Sequence, residues 1–235
     1  MFCTIITIAL ILYSFINFDK TQQENHPPVV KIISPLNRSS FDKNDQITYK
    51  ISVSDKEDGD SKFDEINPKE VLLEVRYMKN GKTPAPLAKT QNNAGLNSIM
   101  ISNCVNCHNF NSKAMGPSFY EINKRYPAAI RSNMDTLIKY IKEGSTGVWG
   151  KEKMPAHPEL ASAEIKSIVQ WIMKSAADPN VNYYIGTSGY FQIKVPVTQK
   201  DKSSYQLTAS YTDHGLIDVP GKRLTGQDAI LIERK

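Results

Sequence analysis

Cysteine is scarce in this sequence: three residues in 235, two of them in the single run Cys104-Val105-Asn106-Cys107-His108 and the third, Cys3, in the apolar N-terminus. No disulfide framework can be built from such a set. No second Cys pair and no His-x₃-His run supplies the further ligands a structural zinc site needs. Blocks of like charge are also missing, for the formal charge of +5 comes from lysines and arginines scattered among acids. That pattern excludes a nucleic-acid surface.

The segment Phe2 to Phe18 has no charged residue and is rich in Ile, Leu and Phe. It suits the apolar core of an export signal, although basic residues before it and an Ala-x-Ala-like site before Asp19 are both missing. At roughly 17 residues it sits at the short limit for crossing a bilayer. The expectation for residues 1–20 is therefore a signal peptide or a retained N-terminal anchor, with export in either case.

Composition divides the rest. Over 27–82 the pattern is strand-like, with runs at Val29 to Ile33, Ile47 to Val53 and Val71 to Tyr77, the second alternating apolar and polar residues cleanly. Residues 83–95 are rich in Pro, Ala and Asn and read as a linker. Over 96–177 the period becomes helical. Asn133 to Glu143 carries Leu137, Ile138 and Ile141 on one face and stops at Gly144, while Ser162 to Lys174 carries Ile165, Ile168, Val169 and Ile172, with Ser162 expected as N-cap. Over 183–235 strands return, at Tyr190 to Val195, Tyr205 to Tyr211 and Ala229 to Ile232. Three strands alone expose a whole apolar face, whereas six make a usual sandwich. The fold expected is α+β and multidomain: an all-α domain inserted into one β-sandwich whose halves flank it in sequence.

In Cys104-Val105-Asn106-Cys107-His108, a two-residue spacer within one helical turn sets two thiols at the separation of the two vinyl groups of haem. The histidine that follows is held under the iron as its proximal ligand. Covalent haem c, attached through Cys104 and Cys107, is the expected cofactor, one per chain. The second axial ligand is sought among sulfur donors downstream. Met154, in a Gly-, Trp- and Pro-containing loop between the two helical patterns, is the candidate for the iron beside His108. Met100, Met115, Met134 and Met173 compete, Met100 and Met173 being more simply core residues, and His157 is an alternative ligand better read as a surface loop residue.

Together with Met115-Gly116-Pro117-Ser118-Phe119, Gly147-Val148-Trp149-Gly150 and Met154-Pro155, the haem motif resembles the small bacterial class I cytochromes c over roughly residues 96–176. The resemblance implies that the Pro117 carbonyl accepts the Nδ1 proton of His108, and that Trp149 reaches a haem propionate. It implies an electron-transfer protein rather than an enzyme, because His/Met ligation fills both axial positions. Pro27 to Ile32 with Val53 to Gly59, and Leu207 to Gly215, resemble the beginning and end of PKD-type, immunoglobulin-like modules. Such a module is paired with a cytochrome c in secreted glucose/sorbosone-type dehydrogenases, and 235 residues leave no room for their catalytic propeller. The partner implied is a dehydrogenase or a respiratory-chain protein, met outside the cytoplasm. A carbohydrate- or partner-binding module with accessory haem, and a weak haem peroxidase, are the alternatives. The acids Asp55, Glu57, Asp58 and Asp60 offer oxygen ligands of the type calcium takes, in a spacing that also suits a solvated turn.

Overall fold

The computed structural model describes residues 24–78, 93–126, 131–193, 203–217 and 222–235. The apolar segment Phe2 to Phe18 and most of the linker lie outside the described residues. Among the described residues no helix is long and apolar enough to cross a membrane.

Strand β3 (Gln46–Asp55) shows how the sheets arise: Tyr49, Ile51 and Val53 point inward and are buried, and Thr48, Lys50 and Ser54 alternate with them. It pairs antiparallel with β1 (Val29–Ser34), with β4 (Gly59–Asp60) and with β7 (Ser188–Gln192). The second sheet has the order β2 (Ser40–Phe41), β9 (Thr225–Arg234), β8 (Ser204–Thr212), β5 (Leu72–Met78), β6 (Val181–Ile185). Only the β2 to β9 pairing in it is parallel. Strands from before and after the helices thus lie side by side in both sheets. One core between the sheets joins Val53 and Phe191 from the first to Phe41, Leu73, Leu207 and Ile232 from the second. Each such side chain, fully buried, contributes about 1.5–3 kcal/mol.

The helices are α1 (Ala94–Ile101), α2 (Phe119–Arg125), α3 (Arg131–Glu143) and α4 (Ser162–Ser175). Ile165, Ile168, Val169 and Ile172 of α4 are buried against α1, α2 and α3. At Gly95 the α1 backbone lies so close to α4 that an added Cβ would clash with the Ser167 carbonyl. α3 stops at Gly144, whose φ of +78° is left-handed.

Several sequence expectations need correction. Ser162 is the first residue of α4, and Ala161 precedes it as the N-cap; the Ala161 N–H donates to the Glu164 carboxylate at 3.0 Å, so the cap works through Glu164. The linker expected to reach residue 95 ends earlier, because α1 begins at Ala94. Strands β2 and β4 have two residues each, too few for a period to show. β6 begins at Val181, ahead of the boundary expected at residue 183. In β8 both faces are buried, Gln206 and Thr208 included, and α1 packs against the strand.

Candidate haem site

After α1 the chain turns at Asn103, whose φ of +58° is left-handed, a conformation asparagine tolerates. Cys104 to Asn106 then form a single tight turn. The N–H groups of Cys107 and His108 both donate to the Cys104 carbonyl, at 3.2 and 3.0 Å. The two thiols are unbridged and separated by that one turn.

The next loop folds back beneath His108. The Gly116 N–H donates to the Cys107 carbonyl at 2.9 Å, and His108 Nδ1 lies 2.6 Å from the Pro117 carbonyl. A carbonyl can only accept, so the proton sits on Nδ1 and Nε2 keeps its lone pair. A Cβ at Gly116 would stand 2.6 Å from His108 Cε1, so any other residue forces the ring or the loop to shift. Phe119, at the start of α2, stacks on the imidazole with ring centroids 5.6 Å apart. Ser118 fixes that start: it accepts from the Glu121 N–H at 3.1 Å, and the Glu121 carboxylate accepts from the Ser118 N–H at 2.8 Å. Burial lowers the pKa of His108 against the opposing hydrogen bond to Pro117, which keeps the ring in the neutral form that ligates a metal. Burial also pushes the Cys104 thiol up to about 11.

A second loop closes the site. Gly144 brings the end of α3 against the backbone of Met154 to Ala156, and Ser145 and Met154 exchange both backbone hydrogen bonds at 3.0 and 2.9 Å. Met154 and Trp149 are half-buried, and the Arg125 guanidinium lies 4.4 Å from the Trp149 ring. Cys104, Cys107, His108, Pro117, Trp149 and Met154 all line one cavity of about 360 Å³, whose remaining wall is largely apolar side chains such as Leu137, Ile141 and Ile172.

Of the competing methionines, Met100 and Met173 are buried in the helical core, Met134 packs against it, and Met115 touches the cavity but is 62% exposed. His157 departs from the surface position expected for it, for it lines the same cavity. Its N–H donates to the Ile141 carbonyl at 2.9 Å, which folds the loop back onto α3, and its Nδ1 lies 2.9 Å from Glu159. The acids at 55–60 have other tasks. Asp55 accepts from the N–H groups of Glu57 and Asp58, Asp60 accepts from Lys62 N–H, Glu57 pairs with His26, and Asp58 accepts from the Tyr211 hydroxyl. Among the described residues no group of three or more His, Cys, Asp or Glu side chains is arranged to hold a metal ion.

Sequence reasoning missed the ring cluster behind His108, made of Phe110, Phe119, Trp171 and Tyr183. Each of these reads separately as an ordinary core aromatic. Their convergence is tertiary and leaves no spacing to find.

The residues fit a covalently attached haem. Two unpaired thiols stand one turn apart, an imidazole offers a free Nε2, a glycine leaves space at its edge, and a thioether opens into the same apolar cavity. Such a site on this small helical fold defines a haem c-binding domain. The family model described as "Cytochrome C oxidase, cbb3-type, subunit III" matches residues 91–172. Cytochrome c-551 of Azotobacter vinelandii is 40% identical over 70 residues, 30% of this chain and 83% of that protein. Cytochrome c-552 of Hydrogenobacter thermophilus is 37% identical over 70 residues, 30% of this chain and 69% of that protein. The crystal structure of Nitrosomonas europaea cytochrome c552 is similar at 32% identity, with a TM-score of 0.32, over 34% of this chain and 96% of that one. The chain belongs to the cytochrome c family through a class I domain that occupies about 30% of its length, and the family implies covalently bound haem c.

Proposed function

We propose that this protein is a one-electron carrier that acts outside the cytoplasm, with one haem c held in a class I domain inserted into an immunoglobulin- or PKD-like sandwich. The observation that carries the reading is the 2.6 Å contact from His108 Nδ1 to the Pro117 carbonyl, which leaves Nε2 for the iron in the cavity that Met154 also lines. When bound, haem supplies a one-electron iron couple. The chain's own part would be to hold it: Cys104 and Cys107 through their thiols, His108 and Met154 as donors to the iron, and Trp149 at the cavity wall they share. The hydrogen bond to Pro117 fixes the imidazole tautomer and raises its basicity. An iron held by both His108 and Met154 would offer no exchangeable site for oxygen or peroxide and would supply electron transfer alone. The single CxxCH of the sequence supports a count of one haem, and the apolar Phe2 to Phe18 supports export. The sandwich reading rests on strands from both flanks sharing both sheets and one core. The partner is a dehydrogenase or respiratory-chain protein that docks at the haem edge.

The test is the weak far-red absorption band of a ferric iron bonded to a thioether. The oxidised protein shows it, Met154→Ala abolishes it, and His157→Ala retains it. A parent protein without the band gives the position to a nitrogen ligand, with His157 in the same cavity, and a band that survives in Met154→Ala gives it to another methionine such as Met115.

A further inference from the structure

We infer that the two-sheet body completes the proximal side of the haem site, and that Tyr183 of β6 is a positioning residue acting on His108 through the rings of Phe110 and Phe119. The inference rests on the haem reading above.

Tyr183 belongs to a strand of the second sheet, yet it packs with the helical core rather than with the core between the sheets, as do its neighbours Leu72 and Ile185. Its ring stacks on Phe110 with centroids 4.7 Å apart and 29° between planes, and meets Trp171 edge-on at 5.6 Å. Phe110 and Trp171 both contact Phe119, at 5.5 and 5.9 Å, and Phe119 lies on the His108 imidazole. An unbroken series of ring contacts therefore runs from a strand of the two-sheet body to the proximal ligand. Close-packed rings have no slack, so a void at one end of the series is felt at the other.

A second contact reaches the same motif from the same body. Lys69 Nζ, in the short turn before β5, donates to Asn106 Oδ1 at 3.2 Å, within the Cys104 to His108 turn. The Pro117 carbonyl holds His108 at Nδ1 but does not define the tilt of the ring about that bond. Phe119 does, and Phe119 is held in turn by Phe110 and Trp171 with Tyr183 behind them.

The experiment replaces Tyr183 in the full-length, haem-loaded protein and reads the His108 ring and haem methyl signals by paramagnetic NMR, with the midpoint potential and the melting temperature. In Tyr183→Ala the His108 and methyl signals shift and the potential falls as water gains access to the proximal side. Tyr183→Phe, which keeps the ring, restores both. Tyr183→Leu keeps bulk without an aromatic face, shifts the signals in the same direction, and serves if the alanine variant does not fold. Tyr190→Ala, at an exposed tyrosine of the other sheet, leaves everything unchanged. A folded Ala or Leu variant with wild-type signals and potential overturns the inference, however much earlier it melts. Loss of the far-red band from the parent protein defeats the His/Met reading alone, because the His108 ring signals still answer for Tyr183.

Discussion

At Gly116 one methyl group decides the geometry of the proximal ligand. The Cβ of an alanine would stand 2.6 Å from His108 Cε1 and 2.9 Å from Nδ1, so either the imidazole or the loop must move, and the hydrogen bond to Pro117 weakens in both cases. Overpacking of this kind costs about 1–3 kcal/mol. Gly116→Ala is expected to lower the melting temperature of the holoprotein and to weaken the far-red thioether band, since it displaces His108 within the cavity that Met154 also lines. An unchanged spectrum in a folded variant would show that the loop absorbs the methyl group. Cys104, Cys107 and His108 were legible in the sequence because local spacing sets their chemistry, and Pro117 only through the family resemblance of the run Met115 to Phe119. Phe110 and Trp171 were not, since they are far apart in sequence and meet only through the fold.

Among the elements, the α1 to α4 crossing and the end of the two-sheet body carry separate predictions. A Cβ at Gly95 would lie 2.1 Å from the Ser167 carbonyl oxygen, and that obstacle is backbone, which no rotamer change relieves. Gly95→Ala is expected to destabilise the protein by about 3 kcal/mol or more, read from denaturant unfolding. At the sheet end His214 lies 3.3 Å from the Glu70 carboxylate and 3.0 Å from that of Asp58. The hydrogen bond to Glu70, helped by Asp58, pushes His214 up to about 9 from an ordinary 6.5. The raised value means that the folded state favours the protonated ring. Its stabilisation is fully present below pH 6.5 and is lost as the pH rises through about 9. The melting temperature should fall across that window, and His214→Gln should remove this part of the slope. Long periodic elements such as α4 and β3 were legible in the sequence. β6 was not: its five residues show one buried position and four half-buried ones, because helices rather than water cover its outer side, and the alternation that marks a strand is lost.

For the whole molecule, the question is whether the helical domain and the two-sheet body unfold together. The chain leaves β5 for the helices and returns from them into β6, and those two strands pair directly, with Arg76 opposite Val181. The ends of the helical segment are therefore clamped side by side by the sheet. Polar links add to the clamp: Asn97 to Thr225 at 2.9 Å, Lys69 to Asn106 at 3.2 Å, and Arg223 to Glu164 at 3.4 Å, the last on the side chain that caps α4. Unfolding of the helices alone would expose the helix-facing side of Leu72 and Tyr183. Unfolding of the sheets alone would uncover Phe110 and Trp171 and release both ends of the helical segment. Neither partial state keeps its own core intact, which is the condition for a single cooperative transition. Haem absorbance and the far-ultraviolet signal of the sheets should then lose amplitude at the same denaturant concentration. Tyr183→Ala should lower that shared midpoint or, where coupling through the ring cluster dominates, split it into two. Separate midpoints in the unmodified protein would show that the cores are independent, and that the clamp at β5 and β6 is a tether without energetic coupling.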